Sequence, residues 1–395
     1  MKRNPTRFLK EEYDALVNSN LEWKIRHLET GSKPHAIVDG RKVLMLNTNN
    51  YLGLATHPKI IQATIDAAKK YGAGAGAVPV IAGTFDLTKQ FQEKFAKYKG
   101  VEGSLLCQTG FAVNQGVIPI LIGDEDYVIS DELNHGSIID GVRLTKAKRL
   151  VYPHTDVAGL EKCLKEADDA KARRILIITD GVFSMDGDIA PMPQIVQASD
   201  PYGAMVFVDD CHGEGVLGGG RGIVAHFKLQ HKVHVEGGSM SKGFGVFGGT
   251  VAGSQDLISF VTNKSRSYLL STAHPPAMVA ACIAAVEVAE MEPQHNRKLW
   301  ENTNYFKKEV QDLGYNTGKS QTPIIPLIVG DPGKAQKLAE RLFTQASIFA
   351  TPIVYPMVAR ELSRIRVQMN ALLQKEDLDY AITALKKIGN ELEII

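Results

Sequence analysis

Residues 204–215 read AMVFVDDCHGEG, and residues 233–245 read VHVEGGSMSKGFG. Each starts with a short apolar, largely β-branched run and ends in polar residues and glycine. A strand covered on both faces reads as such a run. The pattern recurs upstream, in GSLLCQTG (103–110), DYVISDELNH (126–135) and RILIITDGVFSMDG (174–187). Between these runs lie segments with helical spacing, such as AVNQGVIPILIG (112–123). Apolar strands alternating with helices predict an α/β fold with a mostly parallel sheet. In open α/β sheets, ligands bind outside the carboxyl ends of the strands. The polar cluster of each run lies at such an end.

Working outward, residues 2 to about 30 alternate charged and apolar positions, which predicts an amphipathic helix or arm. HAIVDGRKVLML (35–46) reads as strand, NTNNYLGLATHP (47–58) as loop, and KIIQATIDAAKKYGAG (59–74) as a helix stopped by glycine. The apolar helix PPAMVAACIAAVEVAEME (275–292) is expected to lead out of the large domain. Beyond it, helices at 296–314, 333–343 and 375–392 and strands at 323–330 and 363–369 suggest a smaller α+β domain. The expected division is an N-terminal segment 1–50, a large domain 51–288 and a small C-terminal domain 289–395.

A chain of 395 residues is too long for one ordinary core. Its formal net charge of +1 gives no bulk reason to bind nucleic acid or an acidic membrane. The four cysteines, Cys107, Cys163, Cys211 and Cys282, form no CxxC pair. That argues for a reducing compartment and against a structural zinc site. The N-terminus MKRNPTRFLKEEYD has no apolar signal core. No stretch approaches the roughly 20 apolar residues of a membrane span. A soluble, cytoplasmic protein is expected.

Lys242 lies in GGSMSKGFGVFGG (237–249), where flanking glycines let the backbone turn tightly and approach a planar ligand. A lysine in a glycine-rich loop is ordinarily solvated; its company argues otherwise. Asp209 ends a buried strand and suits a protonated ring nitrogen, as in a pyridinium electron sink. His212, three residues on, suits a phenolic oxygen of the same ring. A solvated turn with Asp210 as a cap accounts for DDCH as well, and few further ligands favour a metal there. His135 follows another strand and suits stacking or proton transfer, or simply a surface loop. The turn CQTGF (107–111), with Thr109, suits a phosphate at the following helix N-terminus, and Ser239 adds a hydroxyl. Each reads equally as a helix cap. Arg364 and Arg366 share one strand face. One of them suits a substrate carboxylate, or both make surface ion pairs. YGAGAGA (71–77) partly matches a dinucleotide fingerprint, but it follows a helix rather than a strand. A hinge or substrate loop fits it better than a nicotinamide site.

Together, NNYLGL (49–54), DELNHGSIIDG (131–141), DGVFSMDGDIAPM (180–192), DDCH (209–212), GRG (220–222), GSMSKGFG (238–245), STAHPP (271–276) and RIRVQM (364–369) resemble the motifs of the α-oxoamine synthases. These are a branch of the aspartate-aminotransferase-like, fold-type I pyridoxal-phosphate enzymes. The resemblance covers about residues 20 to 390. It implies that Lys242 forms the Schiff base with pyridoxal 5'-phosphate and moves the substrate proton. It implies that Asp209 pairs with the pyridinium nitrogen and His135 stacks on the ring. His212 and Ser184 would approach the ring oxygen. Gly110, Phe111 and Ser239 would hold the phosphate, and Thr109 is read with them. It further implies a homodimer with shared active sites, Ser271 and Thr272 reaching the other copy's phosphate. Asn50 and Arg366 would bind the amino-acid carboxylate.

The implied reaction is a Claisen-type condensation of an amino acid with an acyl-CoA. DGVFSMDG and RIRVQM look most like glycine C-acetyltransferases, which implies glycine and acetyl-CoA as partners, or the reverse cleavage. The alternatives are another amino acid or a longer acyl-CoA, as in 8-amino-7-oxononanoate synthases, and a non-catalytic partner subunit. Pro79 and Thr88 stand where the family usually has arginine and histidine, and Leu373 lies near a second such histidine. These departures fall toward the acyl side of the family's site.

Overall fold

The structure, a computed structural model, describes residues 4–19, 22 and 25–395. The chain opens with helix α1 (Arg7–Asn18) and a hairpin of β1 (His35–Val38) and β2 (Arg41–Met45). Helices α2 (Pro58–Tyr71) and α3 (Asp86–Lys99) lead to β3 (Gly103–Cys107). Alternation follows: α4 (Gly110–Leu121), β4 (Tyr127–Asp131), α5 (Gly136–Arg143), β5 (Lys148–Tyr152), α6 (Val157–Asp169), β6 (Ile175–Asp180), α7 (Met192–Ser199), β7 (Met205–Asp209), α8 (Ile223–His226) and β8 (Val235–Ser239). Next come β9 (Gly249–Gly253), α9 (Gln255–Lys264), α10 (Arg266–Leu269) and the long α11 (Pro276–Met291). The C-terminal part holds α12 (Gln294–Asp312), β10 (Ile324–Ile328), α13 (Pro332–Ala346), β11 (Ile348–Phe349), β12 (Thr351–Ile353), β13 (Arg364–Gln368) and α14 (Lys375–Glu391).

Seven strands form the main sheet in the order β3-β9-β8-β7-β6-β4-β5. Pairings are parallel from β8 through β7, β6 and β4 to β5, and β9 alone runs against its neighbours. This is the α/β large domain of the fold-type I architecture. The predicted strands at 103–107, 127–131, 175–180, 205–209 and 235–239 are all present, and their carboxyl ends share one edge. β9 is a strand that sequence reasoning missed. Its residues, GTVAG, carry three small side chains and lie just past the Lys242 loop, so they read as more of that loop. Buried on both faces between β3 and β8, they need no large side chain to form a strand.

The segment 35–46 is two strands rather than one. Asp39 and Gly40 both have positive φ, 48° and 73°, which closes a tight hairpin. The smaller domain contains the antiparallel sheet β10-β13-β12. β11 pairs parallel with β2, so the N-terminal hairpin is tied to this C-terminal part. α11 is apolar all round and mostly buried, as such a helix must be. The expected boundary at 288/289 falls in its last turn. Within the expected N-terminal helix or arm, α1 is helical and residues 35–38 are already strand. Residues 1–3, 20, 21, 23 and 24 lie outside the described part. Among the described residues no helix is long and apolar enough to cross a membrane. Leu373 is fully buried in the main hydrophobic core.

Candidate active site

β6 and β7 end side by side, with Asp180 and Asp209 in register. Both carboxylates are buried. Asp209 accepts hydrogen bonds from the Asn114 side chain (2.6 Å) and the Cys211 amide (3.0 Å). Asp180 accepts from the His135 amide at 2.6 Å. Burial, with Asp209 beside it, pushes the Asp180 carboxyl well above its ordinary range.

His135 caps the N-terminus of α5. Its Nδ1 lies 2.7 Å from the Ser137 hydroxyl, and Asn114 donates to that hydroxyl at 2.9 Å. One buried amide on α4 therefore joins Asp209 to the residue that orients His135. The His135 ring is open to solvent, and Phe111 meets it edge-on, centroids 6.4 Å apart. The protein packed around its base still lowers its pKa below the ordinary value; Asp209 opposes this and Lys242 adds to it.

His212 is buried, and its pKa lies well below normal, from burial first and then from the cations Lys242 and Arg366. It is a neutral imidazole near pH 7. Its Nδ1 lies 2.8 Å from the Tyr51 hydroxyl. Burial raises that phenol to about 12, with the nearby Arg366 guanidinium opposing. A phenol that keeps its proton is able to donate it to Nδ1, the arrangement that would put the His212 proton on Nε2. Arg366 also donates to the Ser184 carbonyl (2.5 Å) and reaches Asn49 Oδ1 (3.5 Å).

The Asn50 side chain donates to the Ser32 carbonyl (3.0 Å) and accepts from the Ala55 amide (3.3 Å), which ties the 47–58 loop to residue 32 and to its own second half. Asn49 is the asparagine whose side chain meets Arg366.

Lys242 sits half-buried in the turn between β8 and β9, with its carbonyl accepting from Gly245. Below the turn is a buried charge cluster. Lys99 Nζ lies 2.9 Å from Glu236, 3.3 Å from Glu214 and 3.7 Å from Asp210. Glu214 in turn accepts from the Ser239 amide (3.2 Å) and from the Thr250 hydroxyl. A Cβ at Gly238 would fall 2.3 Å from the Glu214 carboxylate, so any side chain there would displace Glu214 from the cluster. Burial raises the Asp210 and Glu214 carboxyls, with Lys99 pulling them back. Burial alone would depress Lys99, but the three acids outweigh it and hold it charged.

At the other side, Thr109 caps α4 by accepting from the Ala112 amide at 3.0 Å. Ser239 and Ser241 hydroxyls lie 2.7 Å apart. Among the described residues, the Gly110 and Phe111 amides donate to no group of the chain. A helix N-terminus with free amides and hydroxyls close by suits a phosphate. Thr272 is exposed and Ser271 half-buried near this edge, where the Thr272 carbonyl accepts from Gln108.

The comparisons with known proteins agree with this geometry. Residues 41–385 match the family model for aminotransferase class I and II. The chain is 50% identical over 391 residues to the 8-amino-7-oxononanoate synthase of Symbiobacterium thermophilum, covering 99% of each. It is 45% identical over 389 residues to 8-amino-7-oxononanoate synthase 1 of Bacillus subtilis, covering 98% of each. Among solved structures, Sphingomonas wittichii serine palmitoyltransferase superposes with a TM-score of 0.92 at 28% identity over 99% of both chains. An SPT structure with a PLP internal aldimine superposes with a TM-score of 0.93 at 25% identity, over 99% of this chain and 98% of that one.

The chain belongs to the aminotransferase class I and II family, the fold-type I pyridoxal-phosphate enzymes. Within that class it is an α-oxoamine synthase. Its donor set fits pyridoxal phosphate: amides and hydroxyls at α4 for phosphate, a buried carboxylate at Asp209 for a ring nitrogen, and an open imidazole at His135 between them.

The glycine C-acetyltransferase resemblance is not supported, since these relatives bear the name of the alternative. The two motifs that carried the resemblance pack on each other: Arg364 donates to the Met185 carbonyl and the Asp186 carboxylate, and Arg366 to the Ser184 carbonyl. Sequence reasoning also missed Tyr51, Asn114, Asp180, Lys99 and Glu214. For Asn114 a signal existed: an amide inside the apolar helix GFAVNQGVIPIL must find a buried partner.

Proposed function

We propose that this α-oxoamine synthase joins alanine to the thioester of a seven-carbon dicarboxylic acid, giving 8-amino-7-oxononanoate, CO2 and the free thiol. Identity of 45 to 50% across nearly the full chain to synthases of that name carries the reading. The product's structure dictates the substrates. Carbons 8 and 9 bear the amine and a methyl, which is alanine without its carboxylate. The remaining seven carbons enter as an acyl group with a distal acid.

Bound at this site, pyridoxal phosphate supplies an electron sink for the charge that develops at Cα. Lys242 is its covalent anchor and, once released, the base that takes the Cα proton. Asp209, fixed by Asn114, keeps a ring nitrogen protonated. His212 offers its Nε2 proton to the ring oxygen, with Ser184 beside it. His135 covers the ring face. Thr109, Gly110, Phe111 and Ser239 hold the phosphate, and Arg366 meets the substrate carboxylate. A second copy covers the exposed Phe111, Phe247 and Leu270, and Ser271 and Thr272 then serve that copy's phosphate.

The test is a substrate panel. The holoenzyme is given alanine, glycine or serine with thioesters of acetate, a seven-carbon dicarboxylate and palmitate, and thiol release is followed. Alanine with the dicarboxylyl thioester should give the highest kcat/KM. Glycine with acetyl thioester in first place would overturn the proposal and restore the acetyltransferase reading.

A further inference from the structure

Away from the cofactor site, His57, Glu292 and His295 converge from three elements: the residue before α2, the residue after α11 and the first turn of α12. Among the described residues this is the one group of three or more His, Cys, Asp or Glu side chains whose ligand atoms lie within 4.8 Å of one another. The three side chains are 16%, 20% and 18% exposed, enclosed but reachable.

The distances are informative. His57 Nε2 and His295 Nε2 lie 3.4 and 3.3 Å from the same oxygen, Glu292 Oε2. Charge-assisted N–H···O bonds are shorter, about 2.7–2.9 Å. A tetrahedron with metal–ligand bonds of about 2.0–2.1 Å has edges of about 3.3–3.4 Å. The two imidazoles stand edge to face at 81°, with centroids 5.9 Å apart.

His57 is otherwise unexplained. Its Nδ1 is buried without a partner, and its Nε2 makes no hydrogen bond among the described residues. A mostly buried imidazole bonded at neither nitrogen is unfavourable. Lys59 holds the other carboxylate oxygen, Oε1, at 2.6 Å, and Oε2 is left to the two imidazoles, with His295 Nε2 in a long hydrogen bond to it at 3.3 Å. That is how a supporting residue orients a ligating carboxylate.

We infer that His57, Glu292 and His295 form a binding site for a divalent transition metal of the zinc class, with water in the fourth position. Two imidazoles and one carboxylate suit zinc, cobalt or nickel, and they disfavour calcium and magnesium, which take oxygen ligands. The ion would pin the start of α2, which follows the Tyr51 loop, to the corner where α11 hands the chain to α12. No cysteine takes part, which is why cysteine spacing gave no hint of it.

The test uses holoenzyme stripped with a chelator and titrated with Co2+ and then Zn2+. One equivalent per chain should bind, with the visible spectrum of tetrahedral cobalt, and Tm should rise. His57→Ala, His295→Ala and Glu292→Gln should each weaken binding at least about ten-fold while the cofactor absorbance persists. Lys59→Met should weaken it less. Binding in His57→Ala/His295→Ala as tight as in wild type would overturn the inference. Should the variants fail to fold, the wild-type cobalt spectrum still decides, since an octahedral aquo-like spectrum, or none, refutes a tetrahedral site.

Discussion

Asp209 and Asp210 are consecutive, equally acidic and both buried, at 5% and 0% exposure, yet they live in opposite surroundings. Asp209 turns toward α4 and meets Asn114. Asp210 turns the other way, accepts from the Ile223 amide of α8 and faces Lys99. Period-two alternation separates them onto the two faces of the sheet. The first carboxylate is the one proposed to meet the cofactor. The second belongs to a closed cluster of three acids and one lysine, where burial drives it toward the neutral form. Burial alone therefore does not mark a catalytic acid, and the partner across the gap decides.

The largest effect should come where the two surroundings meet, in the turn that carries Lys242. Lys242→Ala is expected to lower turnover by at least about a thousand-fold and to abolish borohydride-trappable cofactor. A variant with near-native turnover would remove the central assignment. Next is the closed cluster. Lys99→Met leaves three buried acids without their cation and should destabilise the fold by about 3–5 kcal/mol in urea unfolding. A change under about 1 kcal/mol would show that the acids do not depend on it.

Asp209→Asn should keep the fold and cofactor binding but cut thiol release about a hundred-fold, roughly 3 kcal/mol in transition-state terms. Tyr51→Phe removes the hydroxyl that His212 Nδ1 meets at 2.8 Å and frees the histidine to change tautomer, for an expected loss of about ten-fold. Equal activity in that variant would mean the tautomer does not matter.

The smallest effect is expected at Asp210. If the buried acid is already neutral, Asp210→Asn should change stability near pH 4 by less than about 1 kcal/mol and leave activity nearly unchanged. It should also alter the pH profile of stability. A carboxyl with a raised folded pKa binds its proton more tightly when folded. Its contribution is thus greatest at low pH and is lost as pH rises above the ordinary carboxyl value toward the raised one. Urea unfolding from pH 4 upward should show a flatter decline in Asp210→Asn. A loss of activity as large as that of Asp209→Asn would erase the contrast between the two residues.

Much of this site was legible from the chain. The apolar runs ending in Asp209, His135 and Lys242 marked strands whose ends gather on one edge, because alternating strands and helices force that geometry. The helical spacing before YGAGAGA argued against a nucleotide fingerprint, and residues 71–77 are the end of α2 followed by loop. Other parts were not legible. The strand β9 has too few large side chains to declare itself. Asn49 and Asn50 are adjacent, and which one faces Arg366 depends on how the 47–58 loop closes against Ser32 and Ala55.

By itself the sequence determined the α/β architecture, the cofactor class and the residues expected to hold the cofactor, since those follow from local periodicity and from motifs in order. Only the tertiary structure decided the partners. Asn114 links Asp209 to Ser137 beside His135, Tyr51 meets His212 Nδ1, and Lys99 gathers three acids from distant segments. His57 comes to lie against Glu292 and His295, more than two hundred residues away. Such pairings depend on which side chains packing brings within hydrogen-bond reach, and no local pattern encodes them.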